Sequence, residues 1–123
     1  MDLNSLESAL LLEDQALIAI HVEELLQLAG YNDVSVQSSC AAAIEWLDSN
    51  NPKIAVIEAR LRDGAADEVA AVLTARGIPY IVHSCEREAN DRHPLMDGNC
   101  RWIDKPCDPE LFIQAVRECA GFR

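Results

Sequence analysis

The chain of 123 residues has a formal net charge of −11, from 21 acidic and 10 basic side chains, and half of its residues are hydrophobic. This length suits one domain that buries a core without disulfide or metal staples. The negative charge argues against sequence-independent binding to nucleic acid or to anionic lipid, both of which rely on clustered Lys and Arg. No apolar run approaches the ~20 residues that span a bilayer, and the acidic start does not resemble a secretory signal, so we expect a cytoplasmic protein.

Short apolar runs alternate with amphipathic segments along the chain, which predicts five strand–helix units. Strands are predicted at residues 9–12, 34–36, 54–57, 80–83 and 102–104. The first and third helices are predicted at residues 16–29 and at about residues 65–76. The second is predicted to begin after Ser39, which caps it, and the last after Asp108, which caps a helix with Pro109 in its first turn. Gly30 and Gly77 are expected to end the first and third helices.

The segment between the fourth and fifth strands is the weakest of these units. From Glu86 to Gly98 it has little amphipathic period and contains Asn, Pro and Gly. Any helix there is expected to be short or irregular, and the segment should be more mobile than the third helix.

The five cysteines form no C-x-x-C pair. We therefore expect reduced thiols, as in a reducing compartment. The alternative is a metal site, although the spacing of its candidate ligands matches no familiar zinc pattern. Those candidates are His83, Cys85, His93, Cys100 and Cys107.

Alternating strands and helices imply a parallel sheet that is covered by helices on both faces. Right-handed crossovers then give a doubly wound, three-layer αβα sandwich of the α/β class. Polar side chains follow four of the predicted strands, and in such a sheet these strand ends meet at one edge, where open α/β sheets place their sites. The residues are Glu13, Asp14, Glu58, Ser84 and Lys105.

This ordered set resembles the receiver domain of bacterial response regulators, from about residue 8 to the end of the chain. Residues 58–64, E-A-R-L-R-D-G, follow the family's acceptor motif D-x-x-L-x-D-G except that Glu58 replaces the acceptor aspartate. The resemblance implies a flavodoxin-like, five-stranded sheet in the order 2-1-3-4-5. It also implies one receiver-like domain over residues 1–123, with residues 1–7 as an N-terminal extension.

The resemblance further implies a Mg²⁺ site made of hard oxygen ligands. Asp14 would bind the ion directly and Glu13 would act through water. Glu58, at the acceptor position, and the backbone carbonyl of Arg60 would supply further oxygens. Binding is expected to be weak, and if Glu58 turns toward Lys105 instead, the metal site is left one ligand short.

Three further positions correspond to the family's phosphate-handling residues. Ser84 matches the switch hydroxyl, Lys105 matches the phosphate-binding lysine, and Trp102 stands where the family has a Tyr or Phe switch ring. The residue after the hydroxyl is usually Gly or Ala but is Cys85 here, which narrows access to the site.

The extra methylene of Glu58 displaces its carboxylate by about 1.5 Å. A displacement of about 1 Å costs on the order of 100-fold in a positioned reaction. We therefore predict a receiver-like signalling module of a two-component or phosphorelay system that acts by protein–protein contact. It is not expected to be an enzyme or to be phosphorylated at Glu58.

Two other functions remain open from the sequence. The first is a receiver competent in phosphotransfer, with phosphate accepted on Glu58 or on Asp63, which otherwise forms a turn. The second is a small hydrolase on the same fold. The absence of a G-x-S-x-G elbow and of a P-loop from the sequence argues against it. Expected partners are a histidine kinase or phosphotransfer protein and a downstream protein, with homodimerisation left open.

Overall fold

The computed structural model describes residues 8–84 and 101–121. Its main sheet consists of five parallel strands, which are β1 (Ser8–Leu12), β2 (Asp33–Gln37), β3 (Ile54–Ile57), β4 (Tyr80–Ser84) and β5 (Arg101–Asp104). They lie in the order β2-β1-β3-β4-β5. The predicted flavodoxin-like sheet with the strand order 2-1-3-4-5 is therefore confirmed.

Helices cover both faces of this sheet, as predicted. They are α1 (Ala16–Leu28), α2 (Cys40–Leu47), α3 (Asp67–Ala75) and α4 (Pro109–Cys119). α1 and α4 pack on one face and α2 and α3 on the other, which completes the three-layer sandwich. Within residues 8–84 and 101–121, no helix is long and apolar enough to cross a membrane. The N-terminal extension (1–7), Cys85 and the segment 86–98 lie outside the described residues.

The central strands are buried on both faces. In β1, Leu10 and Leu12 join the core beneath α2 and α3, whereas Ala9 and Leu11 join the core beneath α1 and α4. A parallel sheet covered on both sides needs apolar residues at successive positions. This is why the sequence shows continuous apolar runs at these strands.

The predicted helix boundaries have the expected caps. Oγ of Ser39 accepts a hydrogen bond from the N–H of Ala42 at 3.1 Å, at the start of α2. The carboxylate of Asp108 accepts one from the N–H of Glu110 at 2.9 Å, at the start of α4. Gly30 follows α1 with a φ of +112°, a conformation that residues with a Cβ rarely adopt.

α1 is buried less completely than its apolar sequence suggests. Val22, Leu25 and Leu26 are buried, but Leu17 and Ile20 are 84% and 61% exposed. The helix therefore presents apolar side chains to solvent beside the carboxyl edge of the sheet.

Among the three cysteines that the structure describes, the expectation of reduced thiols is wrong for one. Cys119 is disulfide-bonded, whereas Cys40 and Cys107 carry free thiols. Spacing along the chain does not indicate which sulfur atoms the fold brings together, so the pairing could not be anticipated. Burial, followed by the charge of Asp63, raises the pKa of Cys40 to about 11, which makes this thiol a poor nucleophile.

Candidate functional site

The carboxyl ends of the central strands bring the predicted polar residues to one edge of the sheet. Leu12 of β1 is in register with Ile57 of β3, and Ile57 is in register with Val82 of β4. The N–H of Glu58 also donates to the carbonyl oxygen of Leu12 at 3.0 Å. The residues that follow these strands therefore lie side by side.

Lys105, which follows β5, lies between two of the carboxylates. Its Nζ is 2.7 Å from Oε1 of Glu13 and 2.5 Å from Oε1 of Glu58. The side chains of Lys105, Glu13 and Glu58 are 10%, 2% and 8% exposed, so all three charges are largely removed from water. We refer to these three residues as the ionic cluster.

Opposing effects act on the pKa values within the ionic cluster. Burial lowers the pKa of Lys105, but its hydrogen bonds to Glu13 and Glu58 outweigh burial and hold the pKa above its ordinary value. Burial raises the pKa of Glu58, whereas hydrogen bonds from Lys105 and Ser84 bring it below its ordinary value. Lys105 and Glu58 are therefore both charged near neutral pH.

The second carboxylate oxygen of Glu58 is also engaged. Oε2 accepts hydrogen bonds from the N–H of Ala59 at 2.8 Å and, more weakly, from the N–H of Arg60 at 3.4 Å. The fully buried hydroxyl of Ser84 adds another hydrogen bond to this carboxylate. Glu58 thus folds back on its own backbone while it faces Lys105.

Asp14 is half-buried and bridges two of the loops at this edge. Its Oδ2 accepts a hydrogen bond from the N–H of Arg62 at 3.0 Å. The intervening Arg60–Leu61 pairs with Gly64–Ala65 in a short antiparallel ladder. The loop that follows Glu58 is thereby hydrogen-bonded to the residue Asp14, just after the end of β1.

Asp63 has a structural role that the sequence analysis missed. Its two carboxylate oxygens accept hydrogen bonds from the N–H groups of Cys40 at 3.0 Å and Ala41 at 3.1 Å. These bonds cap α2 from 23 positions away along the chain. The Leu-x-Asp-Gly pattern indicated only a local turn, and nothing in the spacing linked Asp63 to a distant helix.

His83 is a packed strand residue, as predicted. It is 7% exposed, and its ring meets that of Phe112 edge-on with centroids 5.3 Å apart. Burial, followed by the charge of Lys105, lowers the pKa of His83 to about 4, so the imidazole is neutral at physiological pH. Its buried Nδ1 has no hydrogen-bond partner in the part of the chain that the structure describes.

No protein-family model and no curated protein sequence matches this chain. Its structure is similar to that of a response regulator receiver domain protein from Methanospirillum hungatei, with a TM-score of 0.83 and 19% identity over 94% of both chains. The chain has the fold of a receiver domain.

Two further receiver-fold structures were solved with magnesium. The receiver domain of a sensor histidine kinase from Pseudomonas aeruginosa has Mg²⁺ in its active-site cleft, with a TM-score of 0.81, 18% identity and coverage of 94% of this chain and 98% of that one. A response regulator from Thermotoga maritima in complex with Mg²⁺ and BeF has a TM-score of 0.81, 15% identity and coverage of 92% and 98%. At these identities the likeness establishes the fold.

The predicted Mg²⁺ ligands do not form a cation cage in this receiver fold. The Oε1 atoms of Glu13 and Glu58 face the ammonium of Lys105, and Oδ2 of Asp14 accepts a backbone N–H. Within residues 8–84 and 101–121, no three His, Cys, Asp or Glu side chains are placed to hold a metal ion. The geometry corresponds to the alternative in which Glu58 turns toward Lys105, and the metal roles of these residues and of Arg60 stay predictions.

The remaining candidates occupy the expected elements of the receiver fold. The carbonyl oxygen of Ser84 accepts a hydrogen bond from the N–H of Lys105 at 3.2 Å. This bond joins the end of β4 to the loop that begins at Lys105 after β5, which we call the lysine loop. Trp102 lies in β5, in register with Val82, and packs against the core on the α2 and α3 side. Its role as a switch ring stays a prediction, and Cys85 lies outside the described residues.

Proposed function

We propose that the protein is a receiver-like signalling module that acts by protein–protein contact and is not phosphorylated at Glu58. The observation that carries the proposal is the pairing of Glu58 with Lys105 and Ser84 at the carboxyl edge of a receiver fold. In the receivers that the sequence resembles, the matching lysine and hydroxyl contact the phosphoryl oxygens.

The state of Glu58 supports loss of phosphoryl acceptance. Both of its oxygens already accept hydrogen bonds, and the residue is only 7% exposed. To attack phosphorus, the carboxylate would have to give up its contact with Lys105 in a site of low dielectric, where an unpaired charge is costly. Phosphoryl transfer depends on positioning and charge neutralisation, and this carboxylate is already held by Lys105, by Ser84 and by the N–H of Ala59.

The ionic cluster also supports a signalling role without modification. A carboxylate brings one charge and two oxygens to Lys105 and Ser84, whereas a phosphate brings nearly two charges and three oxygens. Glu58 therefore imitates a phosphorylated acceptor only in part, and it holds the lysine and the hydroxyl in one arrangement. The module signals by presenting a fixed surface and has no catalytic turnover.

The partners we propose are a histidine kinase or phosphotransfer protein and a downstream effector. One structural relative is the receiver domain of a sensor histidine kinase and another is a response regulator, and both support this assignment. The alternative acceptor Asp63 is disfavoured because both of its oxygens cap α2. Phosphorylation there would remove the cap.

Intact-mass analysis after incubation with Mg²⁺ and acetyl phosphate tests the proposal. The wild-type protein should show no stable gain of a phosphoryl group. A stoichiometric gain that maps to Glu58 would overturn the proposal, and a gain that maps to Asp63 would favour the phosphotransfer-competent alternative. Glu58→Gln is the matched control, because it retains the shape of the side chain without a carboxylate.

A further inference from the structure

The last residue of α4, Cys119, is disulfide-bonded and only partly buried. Cys40 and Cys107, the other two cysteines that the structure describes, carry free thiols. The chain has five cysteines in all. The partner of Cys119 is therefore Cys85 or Cys100.

These two cysteines lie outside the described residues, but a chain neighbour of each is described. Cys85 directly follows Ser84 at the carboxyl end of β4, and Cys100 directly precedes Arg101 at the start of β5. A disulfide requires Cα atoms within about 7 Å of each other. The level of Cys119 along the strand direction therefore decides between the two candidates.

Contacts between α4 and the sheet fix that level. α4 follows the lysine loop at the carboxyl edge, and the ring of Phe112 in its first turn meets that of His83 in β4. Near its other end, Glu118 pairs with Arg101 at 2.9 Å. α4 thus runs back toward the amino edge. Cys119 lies about two helical turns beyond Phe112, which places it about 10 Å nearer that edge than His83.

The start of β5 lies at nearly the same level as Cys119. Arg101 is in register with Ile81, which is about 7 Å nearer the amino edge than His83. The Cα of Cys100 is about 3.8 Å from that of Arg101, because the two residues are consecutive. Cys100 is therefore within reach of a disulfide with Cys119.

Cys85 is too far from Cys119 to pair with it. Ser84 lies about 3 Å beyond His83, in the direction opposite to Cys119. The Cα of Cys85 is about 3.8 Å from that of Ser84, so about 10 Å or more separate Cys85 from Cys119 along the strand direction. The described elements thus leave Cys100 as the partner.

We propose that Cys100 and Cys119 form a redox-sensitive disulfide that a dithiol reductant opens, which releases the end of α4 from the start of β5. One thiolate of the dithiol attacks a sulfur of the bond and forms a mixed disulfide, and the second thiol then displaces the protein. The protein gains two electrons and two protons as two thiols, and the dithiol becomes a disulfide. The reverse exchange closes the bond. The proposal does not depend on the proposed function, because it involves neither Glu58 nor Lys105.

The surroundings of Cys119 favour a labile bond over a permanent staple. The residue is partly exposed, and exposed disulfides are the ones that exchange readily with other thiols. The neighbouring ion pair is a weak substitute for the bond, because the side chains of Arg101 and Glu118 are 50% and 48% exposed. A groove of about 260 Å³ between β5 and α4 is lined by this ion pair and by Leu111. Opening of the bond therefore changes the shape of this groove.

Differential alkylation tests the pairing. The unfolded, unreduced protein is treated with iodoacetamide, then reduced and treated with N-ethylmaleimide, and peptide mass mapping locates each label. Cys100 and Cys119 should carry N-ethylmaleimide, whereas iodoacetamide should label Cys40, Cys85 and Cys107. Iodoacetamide on Cys119, or N-ethylmaleimide on Cys85, would overturn the proposal.

Reduction of the folded protein tests the sensitivity of the bond. Dithiothreitol without denaturant should open it and lower the melting temperature by about 10 °C, since a loop of about 20 residues is no longer closed. Amide exchange in the last turn of α4 should become about tenfold faster, while exchange in α1 stays unchanged. Oxidised dithiothreitol should reverse both effects. A folded protein that resists reduction, or whose α4 exchanges equally in both forms, would show that the bond is not a switch.

Two serine variants form a matched pair. Cys100→Ser should behave as the reduced wild type does, and dithiothreitol should not change it further. Cys85→Ser should keep the full response to dithiothreitol. The opposite pattern would assign the bond to Cys85 and overturn the proposal.

Discussion

Lys105 and Glu58 are 47 positions apart in the chain, yet Nζ of the lysine lies 2.5 Å from Oε1 of the glutamate in a buried setting. Glu13 approaches the same ammonium at 2.7 Å. Two carboxylates thus share one lysine at the position where the resemblance predicts a metal ion. The cluster has its own internal counter-charge, which removes much of the electrostatic reason for binding a cation.

The role of Lys105 as internal cation predicts how the protein responds to Mg²⁺. The melting temperature of the wild type should not change when millimolar MgCl₂ is added. Lys105→Met leaves Glu13 and Glu58 buried without a counter-charge, which should lower the free energy of unfolding by about 3 kcal/mol. Mg²⁺ should then restore part of this loss, because a ligand that binds only the folded state stabilises it.

Thermal melts in MgCl₂ and in choline chloride of equal ionic strength measure this effect. Lys53→Met provides the matched control, because Lys53 is exposed and lies away from the ionic cluster. It should change neither the melting temperature nor the response to Mg²⁺. If Mg²⁺ stabilises the wild type as strongly as it stabilises Lys105→Met, the lysine does not take the place of the cation.

Shortening the acceptor side chain should restore some phosphoryl acceptance. Glu58→Asp removes the methylene that brings the carboxylate to Lys105, while Glu13, Asp14 and Ser84 remain in place. Acetyl phosphate with Mg²⁺ should then give a detectable gain in intact mass that the Glu58→Gln protein lacks. A folded Glu58→Asp protein that never reacts would show that the resemblance does not extend to the chemistry of the acceptor.

The fold was accessible from the sequence because its signals are local. Continuous apolar runs such as residues 54–57 indicate a two-sided parallel sheet, and Ser39 and Asp108 mark helix starts within a few residues. The convergence of Glu13, Glu58 and Lys105 followed from the geometry of such a sheet, in which strand ends share an edge. Local pattern and tertiary structure agree in these elements.

The missed features all depend on contacts between distant parts of the chain. Asp63 caps a helix 23 residues earlier, and the disulfide of Cys119 requires the end of α4 to lie beside another part of the chain. Neither arrangement leaves a periodic trace in the sequence. The pairing of Lys105 with Glu58 was only one of two options, since the sequence does not specify which carboxylate rotamer prevails.

Removal of the distant cap should destabilise α2. Asp63→Ala frees the N–H groups of Cys40 and Ala41, so the melting temperature should fall by about 2–8 °C, the range for loss of one helix cap in a domain of this size. Ser39→Ala removes the local cap of the same helix, and the double variant should show non-additivity because both caps serve one helix end. Thermal melts of the four proteins measure this coupling, and equal stability of Asp63→Ala and wild type would contradict the capping role.

Burial of His83 predicts a loss of stability in mild acid. Its pKa is about 4 in the folded protein, below the ordinary value of 6.5, so the unfolded chain binds the proton more tightly. Stability from this group is therefore full above pH 6.5 and declines as the pH falls toward 4. Over that window the free energy of unfolding should decrease by about 3 kcal/mol on account of His83.

Urea denaturation at several pH values between these limits measures the decline. The charged or titratable groups that act on the imidazole are Lys105, Glu58 and His21, and burial outweighs each of them. His83→Phe keeps the contact with Phe112 but cannot be protonated, so its stability should be much less sensitive to pH over this range. His21→Phe is the matched control, because His21 is exposed on α1 and its replacement should leave most of the pH dependence intact. Equal pH dependence in wild type and His83→Phe would show that the buried imidazole is not the group responsible.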